Sequence, residues 1–159
     1  MAKKRVYVES SVISYLTARP ARDGLSRIRQ QLTALWWERR HEWDCVVSAT
    51  VMEEIAEGDP EAATRRLEKA QSLVKVPTSP EADLLAGLLV SRKLVPESVK
   101  SDAVHLAMAA VSGAHYLLTW NQKHLDNIDL GFRIEDLIRT QGWPPAKVVT
   151  PDRLLKESR

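Results

Sequence analysis

Residues 6–16 read VYVESSVISYL, a short apolar run joined to a second one through a glutamate and two serines. The first run predicts a strand at residues 6–8, and the second predicts a short helix at residues 11–17 that ends before Pro20. Glu9 lies at the junction between the two. Ligands of parallel sheets bind beyond the carboxyl ends of the strands, so Glu9 occupies a position suited to function. A carboxylate that only caps the following helix is the structural alternative.

Apolar runs of the same kind recur along the chain and alternate with longer segments of helical periodicity. Further strands are predicted at residues 45–47, 73–76, 116–118 and 148–149. Helices are predicted at residues 25–36, 60–72, 80–93 and 99–112, and a further helix that carries Glu53 and Glu54, capped by Ser48 or Thr50, is predicted to stop at Gly58. This alternation predicts an α/β domain in three layers, with helices on both faces of a mostly parallel central sheet. We expect residues 1–159 to form one such domain.

The second predicted helix has an apolar stripe. The stripe recurs with the spacing of one helical face, which predicts that this face packs on the core. Its members are Leu25, Ile28, Leu32, Leu35 and Trp36. The neighbouring Trp37 is better placed to pack against a partner subunit or another protein than to stack on RNA.

Composition limits the class of protein. A chain of 159 residues, 44% of them hydrophobic, suits a domain with a substantial core. Cys45, the single cysteine, cannot form an internal disulfide, which favours a reducing cytoplasm. We expect neither a membrane span nor a secretory signal. The net charge of +2 does not indicate a nucleic-acid binder, and the six glycines form neither a GxGxxG motif nor a P-loop.

Three more polar side chains lie where a predicted strand ends or a predicted helix begins. Glu54 follows Ser48 by six residues, Asp102 opens an alanine-rich helix, and Asn121 follows a buried strand and Thr119. Taken singly, each has a structural alternative: a solvated acidic face with Glu53 as the rival site residue, a helix-start aspartate, and a turn asparagine. If the fold brings them together with Glu9, they form an oxygen-rich pocket suited to a hard divalent cation.

His105 lies three residues after Asp102, on the same face of the predicted helix. A histidine on an apolar helix is most often a hydrogen-bonded packing residue. We therefore exclude His105 from the predicted cation ligands.

The order and spacing of these segments resemble those of PIN-domain nucleases, most closely the VapC-like toxins of prokaryotic toxin–antitoxin pairs. The resemblance covers about residues 5–130 and rests on VYVESSVISYL, CVVSATVMEEIAEG, KSDAVHLAMAAVSGA and YLLTWNQKHL. Two positions depart from the family pattern. Glu9 stands where the first acid is usually aspartate, and Asn121 replaces a fourth acid by an amide.

The resemblance implies a PIN-like fold and a metal-dependent endoribonuclease that acts as a toxin. It implies Mg²⁺ or Mn²⁺ bound by Glu9 and Asp102, with Glu54 and Asn121 orienting its water. Because clustered carboxylates repel, we expect at least one raised pKa in this group. With Asn121 neutral, we expect one strong cation site, and any second site to be filled only together with substrate.

Support for the site is expected from hydroxyl and basic side chains. Ser10 and Thr119 are predicted to steady the carboxylates, and Arg19 and Arg22 to reach a substrate phosphate. The resemblance also implies an RNA substrate, a small antitoxin protein and a homodimer.

Two other functions fit the same residues. One is a PIN-like nuclease in RNA processing without an antitoxin. The other is a catalytically weak module that binds RNA or protein, in which Glu9 and Asn121 mark a decayed site.

Overall fold

The computed structural model describes residues 2–121 and 127–157, in which strands and helices alternate along the chain. The strands are β1 (Arg5–Val8), β2 (Asp44–Ser48), β3 (Val74–Val76), β4 (Tyr116–Leu118) and β5 (Lys147–Val149). The helices are α1 (Ser10–Thr17), α2 (Gly24–Glu38), α3 (Ala49–Ile55), α4 (Pro60–Ala70), α5 (Pro80–Ser91), α6 (Lys100–Val111), α7 (Ile128–Thr140) and α8 (Pro151–Glu157). Short 3₁₀ turns lie at Arg40–Glu42 and Glu97–Val99.

The five strands form one sheet in the order β3-β2-β1-β4-β5, and each pair of neighbours is parallel. Strand β1 is central, and its residues Val6, Tyr7 and Val8 are fully buried. Helix α1 packs on α2, α3 and α4, whereas α5 packs on α6 and α7. The prediction of a parallel sheet within a layered α/β fold is therefore confirmed.

Local sequence signals explain where several helices begin and end. The Ser48 side chain accepts a hydrogen bond from the Val51 N–H and so caps α3. Helices α4 and α5 each start with a proline, which has no N–H to leave unsatisfied. Gly113, with φ of +77°, follows the end of α6 in the left-handed region that glycine tolerates.

The apolar stripe of α2 is mostly exposed, so the prediction that this face packs on the core is wrong. Leu25, Ile28 and Leu35 are 61%, 54% and 48% exposed. Thr33 and Trp36 are the fully buried residues of this helix, and Leu32 packs against the core while partly buried, so Trp36 is the one member of the stripe that is fully in the core. Periodicity identified one face of the helix, but it could not show that α2 packs mainly on α1 and α8.

Helices α7 and α8 were not predicted. Helix α7 is capped by the Asn127 side chain, and α8 begins at Pro151. The predicted fourth segment, YLLTWNQKHL, runs past residue 121, so its last four residues lie outside the described part of the chain. Within residues 2–121 and 127–157, no helix has both the length and the apolar character that a membrane crossing requires.

Cys45 lies in the core at the start of β2 and is 8% exposed. Burial, reinforced by the charge of Asp44, raises the pKa of the Cys45 thiol to about 12. The thiolate is the reactive form of cysteine, so this side chain is a small hydrophobic residue rather than a nucleophile at neutral pH.

Candidate functional site

The candidate site lies at the carboxyl ends of the neighbouring strands β1 and β4. The Glu9 N–H, just beyond β1, donates to the Leu118 carbonyl at 3.0 Å. The Thr119 N–H, just beyond β4, donates to the Val149 carbonyl at 3.0 Å. The parallel register therefore brings Glu9 and Thr119 side by side.

Glu9 accepts hydrogen bonds through both of its carboxylate oxygens. Its Oε2 accepts from the Ser10 hydroxyl at 2.7 Å and from the Ser11 N–H at 3.1 Å. Its Oε1 accepts from the hydroxyls of Ser11 at 2.5 Å and Thr119 at 2.6 Å. The two carboxylate oxygens are thus fixed by the first turn of α1 and by the residue that follows β4.

These donors set the charge of Glu9. Burial opposes ionisation, but the hydrogen bonds from Ser10, Ser11 and Thr119 outweigh it, and the pKa of Glu9 is lowered. For this carboxyl group the direction is opposite to the raised pKa expected from repulsion between neighbouring acids. The hydroxyl donors thus keep Glu9 ionised.

Glu54, carried by α3, joins Glu9 through Ser10. The Ser10 hydroxyl lies 2.7 Å from Glu9 Oε2 and 3.0 Å from Glu54 Oε1, and its single hydrogen can serve only one of them at a time. Glu53, the rival of Glu54 in the sequence, is exposed. The helical phase of α3 therefore places Glu54 in the group.

His105 connects Glu54 to the interior of the protein. Its Nε2 lies 2.7 Å from Glu54 Oε1, and its Nδ1 lies 2.7 Å from the Tyr7 hydroxyl. The Tyr7 hydroxyl lies in turn 2.6 Å from the Ser48 hydroxyl. His105 is 3% exposed, so it is the hydrogen-bonded packing residue that was expected. The new observation is that its partner is an acid of the candidate site.

Tyr7 was not singled out in the sequence. Its only signal was a polar atom within an otherwise apolar strand. Burial raises the pKa of the Tyr7 hydroxyl far above its usual range, so the phenol stays neutral.

Asp102 and Asn121 complete the group. The Asn121 Nδ2 lies 3.4 Å from each Asp102 carboxylate oxygen, and the Asn121 N–H donates to Thr119 Oγ1 at 2.9 Å. A cavity of about 20 Å³ lies between these residues and Glu9. The structure thus brings together all four residues predicted for the centre of the site.

Two predicted residues lie elsewhere. The Arg19 side chain is 80% exposed and lies 3.6 Å from Glu61, and Arg22 is also exposed. Among residues 2–121 and 127–157, the structure shows no hydrogen bond from either arginine to the acidic group.

The donor atoms of the group suit a divalent cation. Carboxylate oxygens of Glu9 and Glu54 and a ring nitrogen of His105 all lie within 4.8 Å of one another. Asp102, the predicted partner of Glu9, is outside this compact set but borders the same small cavity. Carboxylates and amides suit Mg²⁺ and Mn²⁺, so the oxygen donors present fit the predicted ion.

Comparison with known proteins supports the fold. No family model matches the sequence, and no curated protein sequence matches it. Among solved structures, the chain is similar to Mycobacterium tuberculosis VapC20, described as a toxin that cleaves the sarcin-ricin loop. The two share 16% identity with a TM-score of 0.58, over 74% of this chain and 91% of VapC20. This likeness confirms the predicted three-layer, PIN-like α/β/α fold.

Proposed function

We propose that this protein is a metal-dependent endoribonuclease that hydrolyses RNA phosphodiester bonds and acts as the toxin of a toxin–antitoxin pair. One observation carries the proposal. Glu9, Glu54, Asp102 and Asn121, distant in sequence, meet at the carboxyl edge of a fold shared with an RNA-cleaving toxin. Clustered carboxylates at such an edge suit cation-assisted phosphodiester chemistry.

Glu9 and Asp102 are the proposed cation ligands. Glu9 is already held in the ionised form by hydroxyl donors, so no proton need leave it before an ion binds. When bound, Mg²⁺ or Mn²⁺ stabilises negative charge on the phosphate and makes a bound water more acidic.

The remaining residues position water and substrate. Glu54 is proposed to accept a hydrogen bond from the attacking water. The Ser10 hydroxyl, which lies within hydrogen-bond distance of both carboxylates, keeps Glu54 beside Glu9. Asn121 offers an amide oxygen and N–H groups, which orient water but add no charge. Since one negative charge is missing relative to a four-acid site, we propose a single tightly bound cation.

RNA binding is proposed to involve Arg19 and Arg22. Both are exposed, and the contact between Arg19 and Glu61 is a surface ion pair that costs little to break. Each arginine is therefore available to a phosphate of the RNA backbone.

Protein partners are proposed, like the toxin role, from the structural likeness to a known toxin. The exposed side chains of Leu25, Ile28 and Leu35 put an apolar stripe on the surface of α2, a feature typical of protein-binding surfaces. We propose a small antitoxin and a homodimer, a cytoplasmic location, and one domain over residues 1–159.

RNA cleavage by the purified protein tests this function. Single-stranded and structured RNAs are incubated with Mg²⁺, with Mn²⁺ or with EDTA. We expect cleavage only with a cation, and a loss of at least about 100-fold in the Asp102→Asn variant, because a cation ligand is removed.

The matched control is Asp83→Asn. Asp83 also lies in the first turn of a helix, α5, but is exposed and outside the acidic group. Cleavage that persists in EDTA would exclude the cation mechanism. Cation binding without cleavage of any RNA would favour the catalytically weak binding module.

A further inference from the structure

Four side chains from four elements form a hydrogen-bonded chain that leads from the core to the candidate site. Ser48 ends β2, Tyr7 lies in β1, His105 in α6 and Glu54 in α3. The successive contacts are 2.6 Å, 2.7 Å and 2.7 Å. Ser48 and Tyr7 are fully buried and His105 is 3% exposed, whereas the Glu54 side chain is 31% exposed. We call these four residues the buried relay.

The direction of the hydrogen bonds follows from what each group can donate. An ionised Glu54 only accepts, so Nε2 of His105 carries a hydrogen and donates it. In the neutral ring Nδ1 then accepts from the Tyr7 hydroxyl, whose oxygen accepts from Ser48. The Ser48 oxygen accepts in turn from the Val51 N–H at 3.2 Å. An imidazolium ring would reverse the donor and acceptor roles of the two hydroxyls, but its Nε2 would still donate a hydrogen bond to Glu54.

Glu54 is held through one oxygen only. Its Oε1 is the atom that contacts both His105 and Ser10. In residues 2–121 and 127–157, the structure shows no hydrogen bond to its Oε2. The relay therefore fixes one oxygen of the carboxylate and leaves the other for a ligand.

We propose that His105 is a positioning residue for the proposed nuclease site: held by Tyr7 and Ser48, its Nε2–H fixes Glu54 Oε1 so that Oε2 faces the cation or its water. This inference rests on the proposed function. Asp102 lies three residues before His105 on α6. The relay thus also ties the helix that carries Asp102 to the helix that carries Glu54.

A purely structural role explains the relay less well. Desolvating polar side chains is costly, and an apolar core of similar volume is usually at least as stable. A fully hydrogen-bonded network defines one arrangement of its members instead. Here the network ends on an acid of the site, which is where a defined orientation has a use.

The first test measures cation binding without RNA. Titration calorimetry with Mn²⁺ compares the wild type with Tyr7→Phe, which keeps the ring but removes the hydroxyl that holds His105. We expect about 10-fold weaker binding, the lower end of the losses found when an outer-shell partner in a metal site is removed. Tyr116→Phe is the matched control because Tyr116 is a buried tyrosine of the same sheet, outside the relay. An equal effect in both variants, or none in Tyr7→Phe, would overturn the proposal.

A conservative substitution separates positioning from packing. His105→Gln retains an N–H donor for Glu54, whereas His105→Leu has none. We expect His105→Gln to restore most of the Mn²⁺ affinity that His105→Leu loses. If both variants lose affinity equally, the hydrogen bond to Glu54 is not what matters and the proposal fails.

The ring nitrogens of His105 give a readout that does not depend on activity. In ¹⁵N-labelled protein, with the signals assigned by comparison with His105→Gln, we expect Nε2 to be protonated both before and after addition of Mg²⁺. Loss of the Nε2 hydrogen with Mg²⁺ would make His105 a cation ligand and contradict the positioning role. A wild type that binds Mn²⁺ but cleaves no RNA would defeat the proposed function alone.

Discussion

The two ends of the central sheet are built from different interactions. In the part of the chain that the structure describes, four of the five buried polar residues lie near the carboxyl ends of the strands. These four are Ser48, His105, Thr119 and Thr150. At the amino ends, the polar contacts are partly exposed. Arg5 pairs with Asp44 at 2.8 Å with both side chains more than one-third exposed, and the Arg40 guanidinium lies 4.0 Å from the centre of the Trp37 ring.

This difference separates stability from function. Exposed ion pairs and cation–π contacts contribute little to stability and cost little to form. Buried polar groups are costly unless every one is hydrogen-bonded, and they stabilise a fold no better than apolar packing does. The concentration of buried polar groups at the carboxyl end therefore supports the proposal that this end holds a ligand.

Removal of one hydroxyl at the carboxyl end of the sheet is expected to lower the stability more than a change at the amino end. Thr119→Val deletes the 2.6 Å hydrogen bond to Glu9 and the acceptor of the Asn121 N–H. We expect a loss of about 1–3 kcal/mol in the free energy of unfolding at neutral pH, measured by urea denaturation.

The loss of stability in Thr119→Val is expected to depend on pH. The lowered pKa of Glu9 contributes stability that is fully present above its ordinary value of 4.5 and disappears as pH falls through the folded-state pKa. The difference in free energy of unfolding between the wild type and Thr119→Val is therefore expected to become smaller as the pH falls. Thr150 is a buried threonine at the same edge of the sheet. We expect the free energy of unfolding of Thr150→Val to differ from that of the wild type by an amount that does not depend on pH. A Thr119→Val gap of constant size would show that this hydroxyl does not stabilise the Glu9 charge.

A change at the amino end is expected to have the smallest effect. Asp44→Asn breaks the partly exposed pair with Arg5, and we expect less than about 1 kcal/mol of lost stability, with unchanged cation affinity and RNA cleavage. Urea denaturation measures the stability, Mn²⁺ titration measures the cation affinity, and incubation with RNA measures the cleavage. A tenfold change in cation affinity would mean that the two ends are coupled and would remove the contrast between them.

Local signals in the sequence predicted most of the architecture. The serine cap at Ser48, the proline starts of α4 and α5 and the glycine after α6 act within a few residues, so they can be read without knowing the fold. The positions of Glu9 and Asn121 followed from strand ends, which parallel pairing brings to one edge.

Contacts between distant segments could not be predicted. Helical phase favoured Glu54 and left Glu53 as its rival, whereas the contact of Glu54 with Ser10, 44 positions earlier, could not be predicted. The Tyr7–His105 contact joins residues 98 positions apart, and neither neighbouring sequence marks it. The exposure of the α2 stripe has the same origin, because it depends on which helices pack beside α2.

The position of Mn²⁺ in crystals, determined from its anomalous scattering, tests the central claim most directly. We predict one strong Mn²⁺ signal at the carboxyl edge of the sheet, bound directly or through water by Glu9 and Asp102, and absent from crystals of Asp102→Asn. A signal confined to the amino end, or none beside Glu9 at saturating Mn²⁺, would contradict the assignment of this edge as a cation-dependent site.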